Sequence, residues 1–207
     1  FSIVPTVALA EDAAQEIQLD SNLAIAETKV INRAVIVHGN GYVISYADGF
    51  DGTMFEIQAG GSLTLENVII DGGNAWDWGT TVGLDPDEYW YANIINAKEK
   101  TLSASIFDVN QDALTLGNGT TVQNCVFVKQ GEYSGGYNGG LGVIGAENGT
   151  ITFNGASITR IAGTILSAKN AVTLMQGETS IYENYGCGNK GGMFDVDGGT
   201  LTMAVNT

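Results

Sequence analysis

The chain has 207 residues, 44% of them hydrophobic, and its 23 acidic residues against 8 Lys and Arg residues give a formal net charge of -15. This charge leaves no basic surface for phosphates, so neither nucleic acid nor an anionic membrane is an expected partner. No stretch approaches the roughly 20 consecutive apolar residues of a membrane-spanning helix, and the apolar fraction predicts a folded core rather than disorder.

The N-terminal segment is apolar up to Ala10 and is followed by the acids Glu11 and Asp12. Its Ala8 to Ala10 step looks like the end of a secretory signal, but the segment lacks a charged start and an initiating Met, so we expect processing before Phe1. The acidic, Gly-rich composition is typical of a secreted or cell-surface protein. We therefore expect an extracellular protein in which residues 1–15 form a tail that serves as a donor strand or a cap. The apolar side chains expected to mediate self-assembly are Phe1, Ile3, Val7 and Leu9.

Residues 16–207 are predicted to form one domain of short β-strands. Apolar residues alternate over three to five positions in the segments 17–19, 35–37 and 42–44, which Gly, Asn and Asp turns separate. Val, Ile, Thr and Phe dominate such segments, which favours strands over helices.

A longer phrase occurs three times, beginning at Met54, Ile106 and Met193. Each copy has an apolar pair, an acid and a β-branched residue, then a Gly or Asp turn and a Leu-Thr-Leu or Leu-Thr-Met strand. The spacing between equivalent strands, about 19 to 22 residues where no loop intervenes, is that of one turn of a β-solenoid. Stacked turns predict an inward ladder of Leu63, Leu114 and Leu201 and an outward ladder of Thr64, Thr115 and Thr202.

Two longer gaps predict loops inserted near 74–104 and 130–140. The first gap contains all three Trp residues of the chain. Aromatic side chains on a rigid scaffold can stack on sugar rings or anchor a protein partner, but they can equally cover apolar surface of the solenoid. The candidate binding residues are Trp76, Trp78, Tyr89, Trp90 and Tyr91.

The phrases at 61–73 and 37–44 resemble the turn-and-strand repeats of bacterial β-helix surface proteins. Asn67 and Asn124 each precede an apolar strand, as ladder asparagines do in that family. The resemblance is to the right-handed parallel β-helix family, the pectate-lyase-like superfold of polysaccharide lyases, phage tailspikes and adhesins. It implies an all-β chain of about seven coils with two inserted loops, and it leaves function open because this scaffold hosts unrelated activities.

An enzyme of that family would need catalytic residues that this sequence largely lacks. Pectinolytic hydrolases use an Asp-Asp step, a His-Gly and an Arg-x-Lys, of which only His38-Gly39 is present, and we interpret His38 as a turn residue. The lyases need an arginine base beside calcium-binding acids, and neither Arg33 nor Arg160 lies near an acidic pair in sequence. Carboxylates stacked across turns could hydrolyse glycosides, although a solvated acidic face explains such residues equally. The acids in question are Glu56, Asp108 and Asp195.

We expect no metal and no other cofactor, with calcium as the alternative at two acidic groups. These groups are Asp195 with Asp197, and Asp85 with Asp87 and Glu88, and neither matches a known calcium-loop spacing. Cys125 and Cys187 are expected two turns apart, about 9.6 Å, which exceeds the ~7 Å limit for a disulfide. Both are therefore predicted to be free thiols.

The third copy of the repeated phrase runs to Asn206 without a polar cap. An open solenoid end exposes unpaired backbone and core side chains. The leading hypothesis is a non-enzymatic structural subunit that stacks head-to-tail with copies of itself into an extracellular fibre. One alternative is a cell-surface adhesin module that binds carbohydrate or a host surface protein through the aromatic loop, and a second is a polysaccharide-degrading enzyme.

Overall fold

The computed structural model of the protein describes residues 13–74, 102–127, 142–184 and 193–204. The described residues form 19 β-strands and no helix. None of them therefore forms a helix with the length and apolar character that crossing a bilayer requires. The predicted all-β class is confirmed.

The strands form three parallel sheets. Sheet A contains β1 (Gln15–Gln18), β4 (Ala34–His38), β7 (Ser62–Glu66), β10 (Ala113–Leu116), β13 (Thr150–Asn154), β16 (Val172–Gln176) and β19 (Thr200–Met203). Sheet B contains β2 (Leu23–Ile25), β5 (Val43–Tyr46), β8 (Ile69–Asp71), β11 (Thr121–Val126), β14 (Ser157–Ala162) and β17 (Ser180–Tyr182). Sheet C contains β3 (Lys29–Ile31), β6 (Phe55–Ile57), β9 (Phe107–Asn110), β12 (Gly142–Glu147), β15 (Thr164–Lys169) and β18 (Phe194–Asp197).

Each strand pairs in parallel with the strand three positions later in the chain. The chain therefore visits sheets A, B and C in turn, and this order is compatible with a parallel β-helix. The predicted solenoid-like architecture is confirmed at this level. The first strand begins at Gln15, one residue before the predicted start of the domain.

The repeated phrases occupy equivalent places in this architecture, as predicted. In sheet C, Phe55 is in register with Phe107, and the same column continues through Ile144 and Leu166 to Phe194. The rings of Phe55 and Phe107 stack with centroids 5.5 Å apart. The apolar pair of each phrase therefore supplies one continuous column of side chains.

Sheet A confirms both predicted ladders. Leu63 is in register with Leu114, and Ile151 and Thr173 continue the column to Leu201. Thr64 and Thr115 are also in register, and their column continues through Thr152 and Leu174 to Thr202. Leu63 and Leu114 are buried, whereas Thr64 and Thr115 are only partly buried and Thr202 is exposed, because successive strand residues point to opposite faces of a sheet.

The core lies between the three sheets and is formed by the inward columns. Burying a Val, Leu, Ile, Phe or Met side chain stabilises the fold by about 1.5–3 kcal/mol, and the inner turns bury these residues almost completely. One inward column of sheet A is apolar in all seven strands and consists of Ile17, Val37, Leu65, Leu116, Phe153, Met175 and Met203.

The corners depend on residues that tolerate a left-handed backbone. Between sheets C and A, the first corner residue has a positive φ in four successive turns, at Gln111, Asn148, Asn170 and Gly198. Asn and Gly adopt this conformation at low cost because a short amide can bond locally and glycine has no Cβ. Asn and Gly therefore recur at these corners for conformational reasons.

Candidate functional site

Within the described residues, each of the three sheets begins with a strand of the first turn and ends with a strand of the last turn. We call β17, β18 and β19 the last edge and β1, β2 and β3 the first edge. A strand at the end of a sheet leaves one row of backbone N–H and C=O groups without a ladder partner. The two edges are therefore the described places where a further strand or another molecule can extend the sheets.

Every inward position of the last edge holds an apolar residue. The five residues, placed by register with the buried columns of the core, are Ile181, Phe194, Val196, Leu201 and Met203. Met203 is 65% exposed, whereas Met175, its neighbour in the same column, is 7% exposed. The last edge therefore presents core-type side chains to solvent.

The first edge is mixed in character. Its inward positions hold apolar Ile17, Leu23 and Ile31, but also Gln15 and Lys29, which occupy columns that are apolar in the next turn. Ile17 is 37% and Leu23 42% exposed. These residues surround a concavity of about 700 Å³.

The floor of this concavity comes from the second and third turns. Ile44, Phe55 and Leu63 reach it from below the first edge. The opening is therefore apolar at its base and partly polar at its rim.

Charge differs between the two edges on the side of sheet C. Lys29 and Arg33 lie at the first edge, where Lys29 Nζ is 3.0 Å from Glu27 Oε1 and Arg33 donates a hydrogen bond to the Gln15 side-chain oxygen. The last edge carries Asp195 and Asp197 on β18. On sheet C, the first edge thus carries bases where the last edge carries acids, although the first turn also contains Glu16, Asp20 and Glu27.

His38 is not the turn residue that the sequence predicted. It ends strand β4, and its Nδ1 lies 3.0 Å from Glu66 Oε2 while its Nε2 lies 3.8 Å from Glu16 Oε2. Gln18 and Glu66 are its register neighbours on the outer face of sheet A. His38 therefore lies between carboxylates of the turns on either side and is closer to Glu66 than to Glu16.

The stack of three acids proposed from the sequence is only partly present. Glu56 and Asp108 are in register on adjacent strands, but Gly145 and Ser167 separate Asp108 from Asp195. Asp195 therefore lies three strands, or roughly 14 Å, from Asp108. Burial, with a smaller contribution from the Glu56 carboxylate, raises the pKa of Asp108.

Sheet B carries a polar cluster around Asp71. The Asp71 carboxylate accepts hydrogen bonds from Gln123 Nε2 at 2.9 Å, Asn124 Nδ2 at 2.8 Å and the Gly73 amide at 2.8 Å. Asn124 has a left-handed backbone within β11, whereas Asn67 occupies the corner that follows β7, so the two asparagines belong to different positions of the turn. These contacts satisfy a carboxylate and position the chain at the end of sheet B.

Cys125 follows this cluster and is a free, fully buried cysteine. Burial and the Asp71 carboxylate raise the pKa of its thiol, while a backbone hydrogen bond from Gly72 opposes the shift. Cys187 lies outside the described residues, so its predicted free thiol stays a prediction.

Several predicted site residues also lie outside the described residues. They are the aromatic residues Trp76, Trp78, Tyr89, Trp90 and Tyr91, the acids Asp85, Asp87 and Glu88, and the tail residues Phe1, Ile3, Val7 and Leu9.

Metal-binding geometry is not found in the described parts of the chain, which bring no three His, Cys, Asp or Glu side chains together as ligands. Asp197, a candidate for calcium, is in register with the cationic Lys169. Lys169 itself pairs with Glu147 at 3.2 Å. Arg160 pairs with Glu183, 3.6 Å away, so both arginines have surface partners and neither faces an acidic pair.

The edge residues Leu23, Lys29, Ile181 and Arg33 were not identified from the sequence. A signal for them was present, because Lys29 and Gln15 interrupt columns that are apolar in every later turn except at Thr173. These interruptions are recognised only when the register between successive turns is known, and the register is hard to infer from sequence because the corners vary in length.

Comparison of the chain with protein-family models, with curated proteins and with solved structures finds no match. The resemblance to pectate-lyase-like β-helices therefore remains a prediction from sequence.

Proposed function

We propose that this chain is a non-enzymatic, extracellular structural protein that stacks head-to-tail into a fibre through its last edge. The proposal includes a right-handed parallel β-helix of about seven turns, since sheet A has seven strands. The right hand is supported by the strong preference of crossovers between parallel strands of one sheet for that hand. The extracellular location is supported by the acidic composition.

The exposure of Met203 is the observation that carries the proposal. Met203 continues a column whose inner members, Leu65, Leu116 and Phe153, are completely buried. Covering the remaining two thirds of the Met203 side chain would contribute about 1–2 kcal/mol, in proportion to ~1.5–3 kcal/mol for full burial. The other inward residues of the last edge are also less buried than their neighbours in the preceding turn. A partner that adds one more turn would bury all of them and would pair the free backbone groups at the same time.

A head-to-tail contact through such an edge does not close on itself. Each added copy presents the same last edge again, so association through two different surfaces generates a filament. The net charge of -15 opposes the approach of copies over long distances. Screening by salt therefore favours association, because the Debye length falls from about 30 Å at 0.01 M to about 8 Å at 0.15 M.

The proposal is tested with two lysine variants on one strand. Met203→Lys places a charge in the inward column, whereas Thr202→Lys adds the same charge one residue away on the outward face. Sedimentation velocity and negative-stain electron microscopy at 0.15 M salt are expected to show filaments for the unmodified chain and for Thr202→Lys. Met203→Lys is expected to weaken association at least tenfold while circular dichroism stays unchanged.

A chain that remains monomeric at every concentration and salt level would contradict the proposal. So would filaments that Met203→Lys leaves unaffected, because the last edge would then not be the contact.

A further inference from the structure

We infer that the surface receiving the last edge is the first edge of a second copy, in strict register, so that each sheet continues from one chain into the next. This inference rests on the proposed function and names the partner surface for it. Three features of the described residues support it: the apolar columns, the concavity and the charges.

The apolar columns continue across such a contact. In register, Met203 of one copy lies over Ile17 of the next, Ile181 over Leu23, and Val196 over Ile31. All six positions are inward and apolar, and those of the first edge include Ile17 and Leu23, which are exposed in the free chain. Each pair therefore buries apolar surface on both copies.

The shape of the first edge fits this occupant. The concavity of about 700 Å³ lies at the open end of the inward columns and has Ile44, Phe55 and Leu63 at its base. The last edge presents Met203 and Phe194 on the corresponding columns, and Met203 is the most exposed of them. A long, unbranched side chain is suited to an irregular apolar opening.

Charge complementarity favours the head-to-tail arrangement over two identical edges facing each other. The described residues include four bases, and two of them, Lys29 and Arg33, lie beside the first strand of sheet C. In register, Asp195 lies next to Val30 and Asp197 next to Asn32, so Lys29 and Arg33 each lie one residue along the chain from an acid, although the Lys29 side chain starts from an inward position and already pairs with Glu27. Two last edges facing each other would instead bring Asp195 and Asp197 of both copies together.

Two inward positions of the first edge are polar, and the apolar columns around them set the register. Lys29 would lie over the Phe194 ring, where a cation is attracted to the aromatic face, and Gln15 would lie over Leu201. A shift by one residue along the strands turns each inward column outward. The matched register is therefore the one that keeps the apolar columns continuous and leaves Lys29 near the Phe194 ring.

The test combines two blocked chains. Leu23→Lys blocks the first edge and Met203→Lys blocks the last edge, while Ala24→Lys, the outward neighbour of Leu23, is the control with the same added charge. Each blocked chain alone is expected to stay monomeric, and Ala24→Lys is expected to form filaments. Mixed in equal amounts, the blocked chains are expected to form a 1:1 complex that does not grow, because each retains one usable edge.

The mixture also controls for folding, since only folded edges can pair. As a second variant that leaves the core untouched, Lys29→Glu is expected to weaken association about tenfold, and Asp195→Lys in the partner copy, the acid nearest to position 29 in this register, is expected to restore part of that loss. Removing residues 1–10 is expected to leave the 1:1 complex intact.

Filaments formed by Leu23→Lys alone would overturn the inference and leave the proposed function standing, because the last edge would then bind a different surface, such as residues 1–10 of another copy. Loss of the 1:1 complex when residues 1–10 are removed would overturn it in the same way. A monomeric unmodified chain would instead refute the proposed function.

Discussion

Two methionines in one column allow the exposure of the last edge to be measured. Met175 and Met203 are register partners on adjacent strands of sheet A, and they differ mainly in burial, at 7% and 65% exposed. We therefore compare the same substitution, to alanine, at both positions. Because residue type and column are the same at both positions, the difference in stability measures how far each side chain is covered by the rest of the chain.

The expected magnitudes follow from burial. Truncating a buried Met to Ala removes transfer free energy and leaves a cavity, at a cost of about 2–5 kcal/mol. Met203 has only about a third of its surface covered, which scales full burial of ~1.5–3 kcal/mol to about 0.5–1 kcal/mol. Met175→Ala is therefore expected to lower the free energy of unfolding by at least 1 kcal/mol more than Met203→Ala.

The assay is urea unfolding followed by circular dichroism, at a protein concentration low enough to keep the chain monomeric. Repeating it where copies associate is expected to raise the cost of Met203→Ala and to leave that of Met175→Ala almost unchanged, since binding stabilises only the folded chain. Equal costs for the two substitutions at low concentration would refute the reasoning, because Met203 would then be covered within its own chain.

Four further predictions concern the inner turns and the charge. Asn170→Val is expected to destabilise the fold by about 1–3 kcal/mol, because a β-branched residue is strained at a φ of 51°, whereas Asn170→Gly is expected to be nearly neutral in the same urea assay. The Cys125 thiol is expected to resist labelling by a disulfide reagent in the native chain and to react rapidly in urea, because burial both shields it and raises its pKa. Since the pKa of Asp108 is raised on folding, its protonation favours the folded state, and that stability is present at low pH and lost as the pH rises through the folded pKa. Asp108→Asn is therefore expected to raise the free energy of unfolding at neutral pH, and Glu56→Gln is expected to raise it less. If Asp108→Asn instead lowered the free energy of unfolding more at pH 7 than at pH 4, this reasoning would be wrong. Raising salt from 0.01 to 0.15 M is expected to strengthen association of the unmodified chain in sedimentation experiments, and weaker association would show that attraction between the edges is mainly ionic.

The sequence was sufficient to predict the stacked architecture because the inward positions repeat a chemical pattern. Phe55, Phe107 and Phe194 recur in the same phrase, and the structure places all three in one column. Alternation of Leu and Thr likewise predicted which residues face the core, since successive side chains of a strand point to opposite faces of the sheet. The shared columns and the inward positions depend on the order of residue types within one turn, and this order can be taken directly from the sequence.

Contacts between turns were harder to predict because they depend on corner length. The corner from sheet C to sheet A has four residues at 58–61 but only two at 148–149, so spacing in sequence does not give the register. The contacts of His38 with Glu16 and Glu66 were missed for this reason. Asp195 was expected in one stack with Asp108 for a different reason: the phrase repeats, but the two turns between its copies supply Gly145 and Ser167 at that position.

In the proposed filament, the difference between the two edges would give assembly a direction. Gln15 and Lys29 make the first edge tolerable in water, because polar side chains replace core residues at two inward positions, whereas the last edge has no such replacement. Two last edges facing each other would oppose the carboxylates of Asp195 and Asp197 of both copies, so like charges penalise that symmetric pairing. Only the unlike pairing covers the apolar residues of the last edge while placing acids beside bases. When an edge binds the other edge of the chain better than it binds a copy of itself, growth in one direction is favoured over closed dimers.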